Sequence, residues 1–149
     1  PYTTLFRSDV FDLLHHVPFE KVGCIRAVDF LEHIPIDKIV PLMNLLYRLL
    51  APGGFLLTQT PAVADLEGKV GLGAFQDPTH VSYWSRNNTW YFTKKQYAQY
   101  VPEIVCRFQS IRVATGYISD WHKENGIPYL LWDAMAIKDG PYLPGPKEI

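Results

Sequence analysis

Residues 22–30 form a nearly continuous apolar run: Val22, Cys24, Ile25, Ala27, Val28 and Phe30, several of them β-branched. Such a run predicts a strand covered on both faces, as in a parallel sheet. The period then changes. Ile39, Met43, Leu46 and Leu50 fall on one stripe, widened by Leu42, Leu45 and Leu49, which predicts a core-facing amphipathic helix. Pro35 and Asp37 open it, with Asp37 placed to cap free N–H groups. Pro41 is expected in its first turn, where a missing N–H costs little, and Gly53-Gly54 is expected to stop it. A second strand is predicted over residues 55–60, closed by Pro61. Strand, helix, strand is a βαβ unit with parallel neighbours and a right-handed crossover.

Residues 62–92 carry no regular period, yet hold Phe75, Tyr83, Trp84, Trp90, Tyr91 and Phe92. A loop of that length in a compact domain is functional or disordered, and its aromatic content argues for order. Thr93 with Gln96 reads as a capping box opening a short helix that ends before Pro102. Strands are predicted over residues 108–117 and 129–138, with Asn125-Gly126 as a turn signal between them, and they suit an antiparallel hairpin. Residues 9–14 are too short to assign, and residues 15–20 are a connector stopped by Pro18. Pro141, Pro144, Gly145 and Pro146 make residues 140–149 a polar tail. The fold class is α/β.

Of the 149 residues, 48% are hydrophobic and 19% charged, enough apolar material for a core. The formal net charge is −1 and Lys and Arg do not cluster, so nucleic acid is not an expected partner. No apolar run is long enough to span a membrane. Two cysteines, Cys24 and Cys106, are too few for a disulfide framework; buried free thiols in a reducing cytoplasm are expected. Nothing in the pattern indicates an oligomeric state. The opening Pro1-Tyr2-Thr3-Thr4-Leu5-Phe6-Arg7-Ser8 resembles, codon for codon, the translation of a common sequencing-adapter end. Residues 1–8 are therefore set apart from the fold, and the domain is expected over residues 9–139.

The stretch Arg26-Ala27-Val28-Asp29-Phe30-Leu31-Glu32-His33-Ile34-Pro35, the helix after it, and Arg48-Leu49-Leu50-Ala51-Pro52-Gly53-Gly54 leading to Thr60-Pro61 resemble class I S-adenosylmethionine-dependent methyltransferases. Asp77-Pro78-Thr79-His80-Val81 resembles the segment after the fifth strand in many members. The resemblance implies a partial Rossmann-like sheet of parallel strands with a closing antiparallel hairpin. It implies S-adenosylmethionine as cofactor and a small-molecule or glycan acceptor. Arg26, Ala27, Val28 and Asp29 would face the methionine part of the cofactor, because ligands of open α/β sheets bind beyond the strands' carboxyl ends. Asp9, with Val10, falls where the family places an acidic residue beside the adenine.

For acceptor chemistry His80 is the first candidate proton acceptor and His33 the second. Glu32 and His33 also have a plainer reading, as turn residues bonding backbone, and no metal is expected. Asp77 would orient His80, or simply latch the loop with Thr79. Tyr83, Trp84 and Tyr91 are candidates for the acceptor wall, or core filling. His15, His16 and His122 read as solvated. A non-catalytic methyltransferase-like domain is the alternative function; a dehydrogenase is disfavoured by the L-E-H-I and P-G-G elements.

Two family features are missing from the sequence: the G-x-G-x-G loop after the first strand, and the acidic residue that ends the second. That loop lets backbone approach the cofactor closely, and the acid bonds the ribose hydroxyls. This chain by itself is therefore expected to bind S-adenosylmethionine weakly or not at all. Calorimetric titration checks it, and micromolar affinity would overturn the expectation.

Overall fold

Residues 9–139 are described by a computed structural model. The adapter-like residues 1–8 and the tail 140–149 lie outside the described residues.

The βαβ unit forms as the hydrophobic periods require. Strand β1 (Val22–Val28) leads through a 3-10 turn (Leu31–His33) into helix α2 (Ile36–Leu49), and strand β2 (Leu50–Pro61) returns parallel to β1. A short helix α1 (Val10–Leu14) precedes them. Strands β3 (Phe108–Gly116) and β4 (Tyr129–Ala136) pair antiparallel, and β4 pairs antiparallel with β2. The sheet order is β1-β2-β4-β3. The expected combination of parallel strands and a closing antiparallel hairpin is thus present.

The core lies on one face of this sheet. Leu42, Met43, Leu46 and Leu49 of α2 are buried. Leu42, Met43 and Leu46 cluster with a face built by Leu56 of β2, Phe108 of β3, and Leu130, Trp132 and Ala134 of β4. Trp84 and Phe92 from the long loop complete the cluster. In β4, from Leu130 onward, buried and half-buried positions alternate, the period-2 signature of a strand with one covered face.

Several local expectations need correction. Strand β1 is not covered on both faces: Ala27 is its one buried residue, and Gly23, Cys24 and Arg26 are exposed. It occupies the end of the sheet among the described residues, and an edge strand has a partner on one side alone. Cys24 is consequently exposed, whereas Cys106 is buried. Asp37 makes no cap; Pro35 takes the capping position without a side-chain bond. Pro41 sits beyond the first turn of α2, on its exposed side, where the carbonyl it cannot serve faces water. Thr93 does not cap a helix either: its hydroxyl donates to the Thr89 carbonyl at 2.8 Å. The capping box of this region is formed by Ser85 and Asn88.

The P-G-G turn has another role than stopping the helix. Helix α2 ends at Leu49, and Leu50 is already extended. While β1 advances from Val22 to Cys24, β2 advances from Leu50 to Phe55, so residues 51–53 bulge. Gly53 has φ +74°, and a Cβ on Gly54 would lie 3.0 Å from the carbonyl oxygens of Ala51 and Val22. Glycine lets α2 swing directly into a strand against β1.

Burial pushes the Cys106 thiol up to about 12, and a thiol must ionise and be reached to react. A maleimide is expected to label Cys24 alone in the folded chain and both cysteines after denaturation, as counted by mass spectrometry. Equal labelling of both in the folded state would contradict the packing of Cys106.

Candidate active site

The L-E-H turn follows β1, and the loop after β2 is laid across it. The backbone carbonyl of Glu32 accepts from the N–H of Val81 at 2.8 Å and of Ser82 at 3.0 Å. The Ser82 hydroxyl donates to the Leu31 carbonyl at 2.7 Å. Residues 79–82 are thereby strapped over residues 31–33, bringing together motifs far apart in sequence.

Inside this strap lie Glu32, His33 and His80. The Glu32 residue is 2% exposed, and its carboxylate accepts from the Thr60 hydroxyl at 2.7 Å. The rings of His33 and His80 meet edge to face, with centroids 4.9 Å apart. One ligand atom from each of the three residues lies within 4.8 Å of the others, a set able to hold a divalent cation.

The hydrogen bonds also select the tautomers. His33 Nδ1 stands 3.2 Å from the Thr79 carbonyl, and His80 Nδ1 stands 3.2 Å from the Ala74 carbonyl. A carbonyl can only accept, so each Nδ1 carries a hydrogen, and in the neutral ring Nε2 then presents a lone pair. His80 Nε2 lies 3.9 Å from the Asp77 carboxylate, with the His80 side chain 8% exposed.

Asp77 holds the loop at the same time. Its Oδ1 accepts from the Thr79 N–H at 2.8 Å and the Thr79 hydroxyl at 2.7 Å. These bonds hold its carboxyl below the usual value, with smaller contributions from His80 and His33. The two bonds to Thr79 form the latch, while the Asp77 carboxylate stands near His80 beyond hydrogen-bond distance.

Asp29 directly follows β1 with φ +47°, a left-handed turn that a short polar side chain tolerates. Its N–H donates to the Gln59 carbonyl at 2.9 Å. Arg26 and Asp29 are exposed, and Val28 is half-buried. Tyr129, at the start of β4, is buried, and its hydroxyl is pushed up to about 12 by that burial first and by Asp29 next. Asp9 and Val10 are not brought to this cluster by the described contacts. Asp9 accepts from the Phe11 N–H at 2.8 Å, as a helix-opening residue does, and Val10 packs against the core. Trp84 is buried, while Tyr83 and Tyr91 are partly exposed; all three line one apolar cavity. His122 bonds Ser119 at 2.7 Å and lies against Trp121 and Tyr129, so it is less isolated than its polar surroundings suggested.

Thr60, Ser82 and Tyr129 belong to the site, and the sequence pattern marked none of them as functional. Thr60 lies in the stretch that carries the resemblance, and Ser82 directly follows the Asp77–Val81 segment. Tyr129 carries no local signal, because its place depends on how β4 registers against β2.

The strand end at residues 26–29 fits the carboxyl-end position that ligands of open α/β sheets occupy. The positive-φ glycines Gly53, Gly68 and Gly126 do not follow a strand end as a phosphate- or ribose-approaching loop would.

No family model and no curated protein sequence matches this chain. Among solved structures it is similar to a SAM dependent methyltransferase from Archaeoglobus fulgidus. The two are 14% identical with a TM-score of 0.58, over 87% of this chain and 66% of that one. A putative DNA modification methylase from Thermus thermophilus matches at 15% identity and TM-score 0.41, over 91% of this chain and 54% of that one. This chain thus spans just under two thirds of the first and about half of the second. Its fold is a partial methyltransferase fold, as the mixed sheet and the Archaeoglobus structure together establish. Among the described residues no helix is long and apolar enough to cross a membrane.

Replacing Thr60 by Val keeps shape and burial but removes the donor to Glu32. A buried acceptor deprived of its donor costs roughly 1–3 kcal/mol. Chemical denaturation of Thr60→Val is expected to show a loss in that range; an unchanged midpoint would contradict the bond's role.

Proposed function

We propose that the protein to which this chain belongs transfers a methyl group from S-adenosylmethionine to a small-molecule or glycan acceptor. The observation that supports this best is the convergence of Glu32, His33 and His80 beside the carboxyl ends of β1 and β2 in a partial methyltransferase fold. S-adenosylmethionine supplies an electrophilic methyl on a good leaving group, so the protein mainly has to align donor and acceptor. In this reading residues 26–29, at the carboxyl end of β1, contact the methionine part of the cofactor. His80 Nε2, with its lone pair free of the loop's own bonds, takes the proton of an acceptor hydroxyl or amine. Asp77, 3.9 Å away, balances the charge that arrives on the ring. His33 is the second candidate for that role, since its Nε2 is presented in the same way.

A second reading is favoured by the three converging ligand atoms. A divalent cation held by them would acidify the acceptor directly, and both imidazoles would be ligands, not bases. The two readings separate experimentally: chelation abolishes the second and leaves the first intact.

Position-specific loss follows for His80 in a full-length enzyme. General-base help contributes about 10²–10⁴ in rate, so His80→Ala is expected to lower turnover within that range with cofactor affinity nearly unchanged. His80→Gln keeps a hydrogen bond yet cannot take a proton. Full activity in the Gln variant would reduce His80 to a loop latch.

A further inference from the structure

Ile36 and Ile39 of α2, Tyr83 and Trp84 of the loop, and Tyr91 and Phe92 of helix α3 (Trp90–Thr93) surround a cavity of about 130 Å³. We propose that this cavity holds one unfused aromatic ring of the methyl acceptor, and not a sugar. The proposal rests on the methyl-transfer reading and narrows its acceptor.

Size is the first argument. An apolar cavity of roughly 150 Å³ takes one benzene molecule, so this one matches a single six-membered ring. The chemistry of the wall is the second. Besides the tyrosine hydroxyls, the polar side chains lining it are Ser82 and Asn88. The Ser82 hydroxyl donates to the Leu31 carbonyl at 2.7 Å and accepts from Trp84 Nε1 at 3.1 Å. Asn88 Oδ1 accepts from the Ser85 N–H and hydroxyl, each at 2.7 Å. The Ser82 hydroxyl and the Asn88 carbonyl oxygen are therefore engaged in holding the loop. A sugar ring would bury its hydroxyls against Ile39, Trp84 and Phe92, and burying hydroxyls without partners is unfavourable.

The mouth is the third argument. Ile36 is 71% exposed, Tyr83 48% and Tyr91 37%. Three large side chains left partly in water around one opening mark a binding site better than a scattered surface. Tyr83 is further supported from outside by Phe75, whose ring lies 5.0 Å from it. Finally, Ser82 belongs to both sites: it lines the cavity, and its N–H donates to the Glu32 carbonyl at 3.0 Å. The ring anchors the acceptor, and a substituent on the ring carries the atom to be methylated.

The test uses the 149-residue chain without cofactor, titrated with phenol and separately with methyl glucoside. Ring-proton shifts of Tyr83, Trp84 and Tyr91 are followed by NMR. Phenol is expected to bind one per chain and move these resonances, with the glucoside inert at the same concentrations. Val40→Phe fills the cavity from α2 and Ile36→Trp narrows its mouth; each is expected to weaken phenol binding at least tenfold. Should Val40→Phe fail to fold, the exposed position of Ile36 keeps the second variant informative. Resonances unmoved by phenol, a glucoside that binds as well, or folded variants that bind as the parent does would each overturn the proposal. Because no methyl donor is present, these outcomes do not depend on whether transfer itself is confirmed. A full-length enzyme that methylates a sugar would sink the ring proposal and leave the transfer reading standing.

Discussion

The peptide carbonyl and the side chain of Glu32 point to opposite obligations. The carbonyl takes two N–H groups from residues 81 and 82, and the carboxylate, removed from water, takes the hydroxyl of Thr60 at the end of β2. Buried polar groups have to find partners. Meeting these two demands ties the turn after β1 to both the strand end and the loop beyond β2. The rest of the site follows from that tie. His33 reaches Thr79 because the strap passes over the turn, and His80 reaches His33 because Asp77 and Thr79 fold the preceding residues into a tight bonded corner.

The core beneath allows this arrangement to stay in register. Helix α2 sets a row of leucines on the sheet, and Trp132 lies among Phe92 and Phe108. Trp84 is the link between core and loop: buried, it bonds Ser82 through its indole N–H and pairs through its backbone with Ala62 and Val63. Its burial fixes the strap's path, so that Tyr83, its neighbour, is left at the cavity mouth. Alternation of a buried and an exposed aromatic residue thus produces both the anchor and the pocket wall.

The chemistry available is set by which nitrogen each histidine leaves open. Two backbone carbonyls, from Thr79 and Ala74, claim the two Nδ1 hydrogens. The Nε2 atoms remain as acceptors near a buried carboxylate, an environment equally fit for taking a proton and for binding a cation. That duality is a property of imidazole chemistry, and its resolution depends on what enters the site.

Local periodicity was enough to reveal the βαβ unit, the closing strands and the buried stripe of α2, because a 3.6-residue or 2-residue repeat is written directly into neighbouring positions. The motif residues Glu32, His33, Asp77 and His80 were legible as candidates for the same reason: they lie in short, dense stretches of sequence. Other features depended on the tertiary structure. Strand β1 reads as fully covered, yet most of its residues are not buried and, among the described residues, it lies at the end of the sheet, which no window of its own residues encodes. Gly53-Gly54 reads as a helix stop, whereas its role as a bulge follows from the pairing of β2 with β1. Thr60, Ser82 and Tyr129 join the site through contacts between distant segments, and the bonds that leave each Nε2 open come from carbonyls whose positions only the folded chain defines. Sequence pattern determined which elements form, since that is decided by neighbours along the chain; packing decided which side chains meet, since that is decided by neighbours in space.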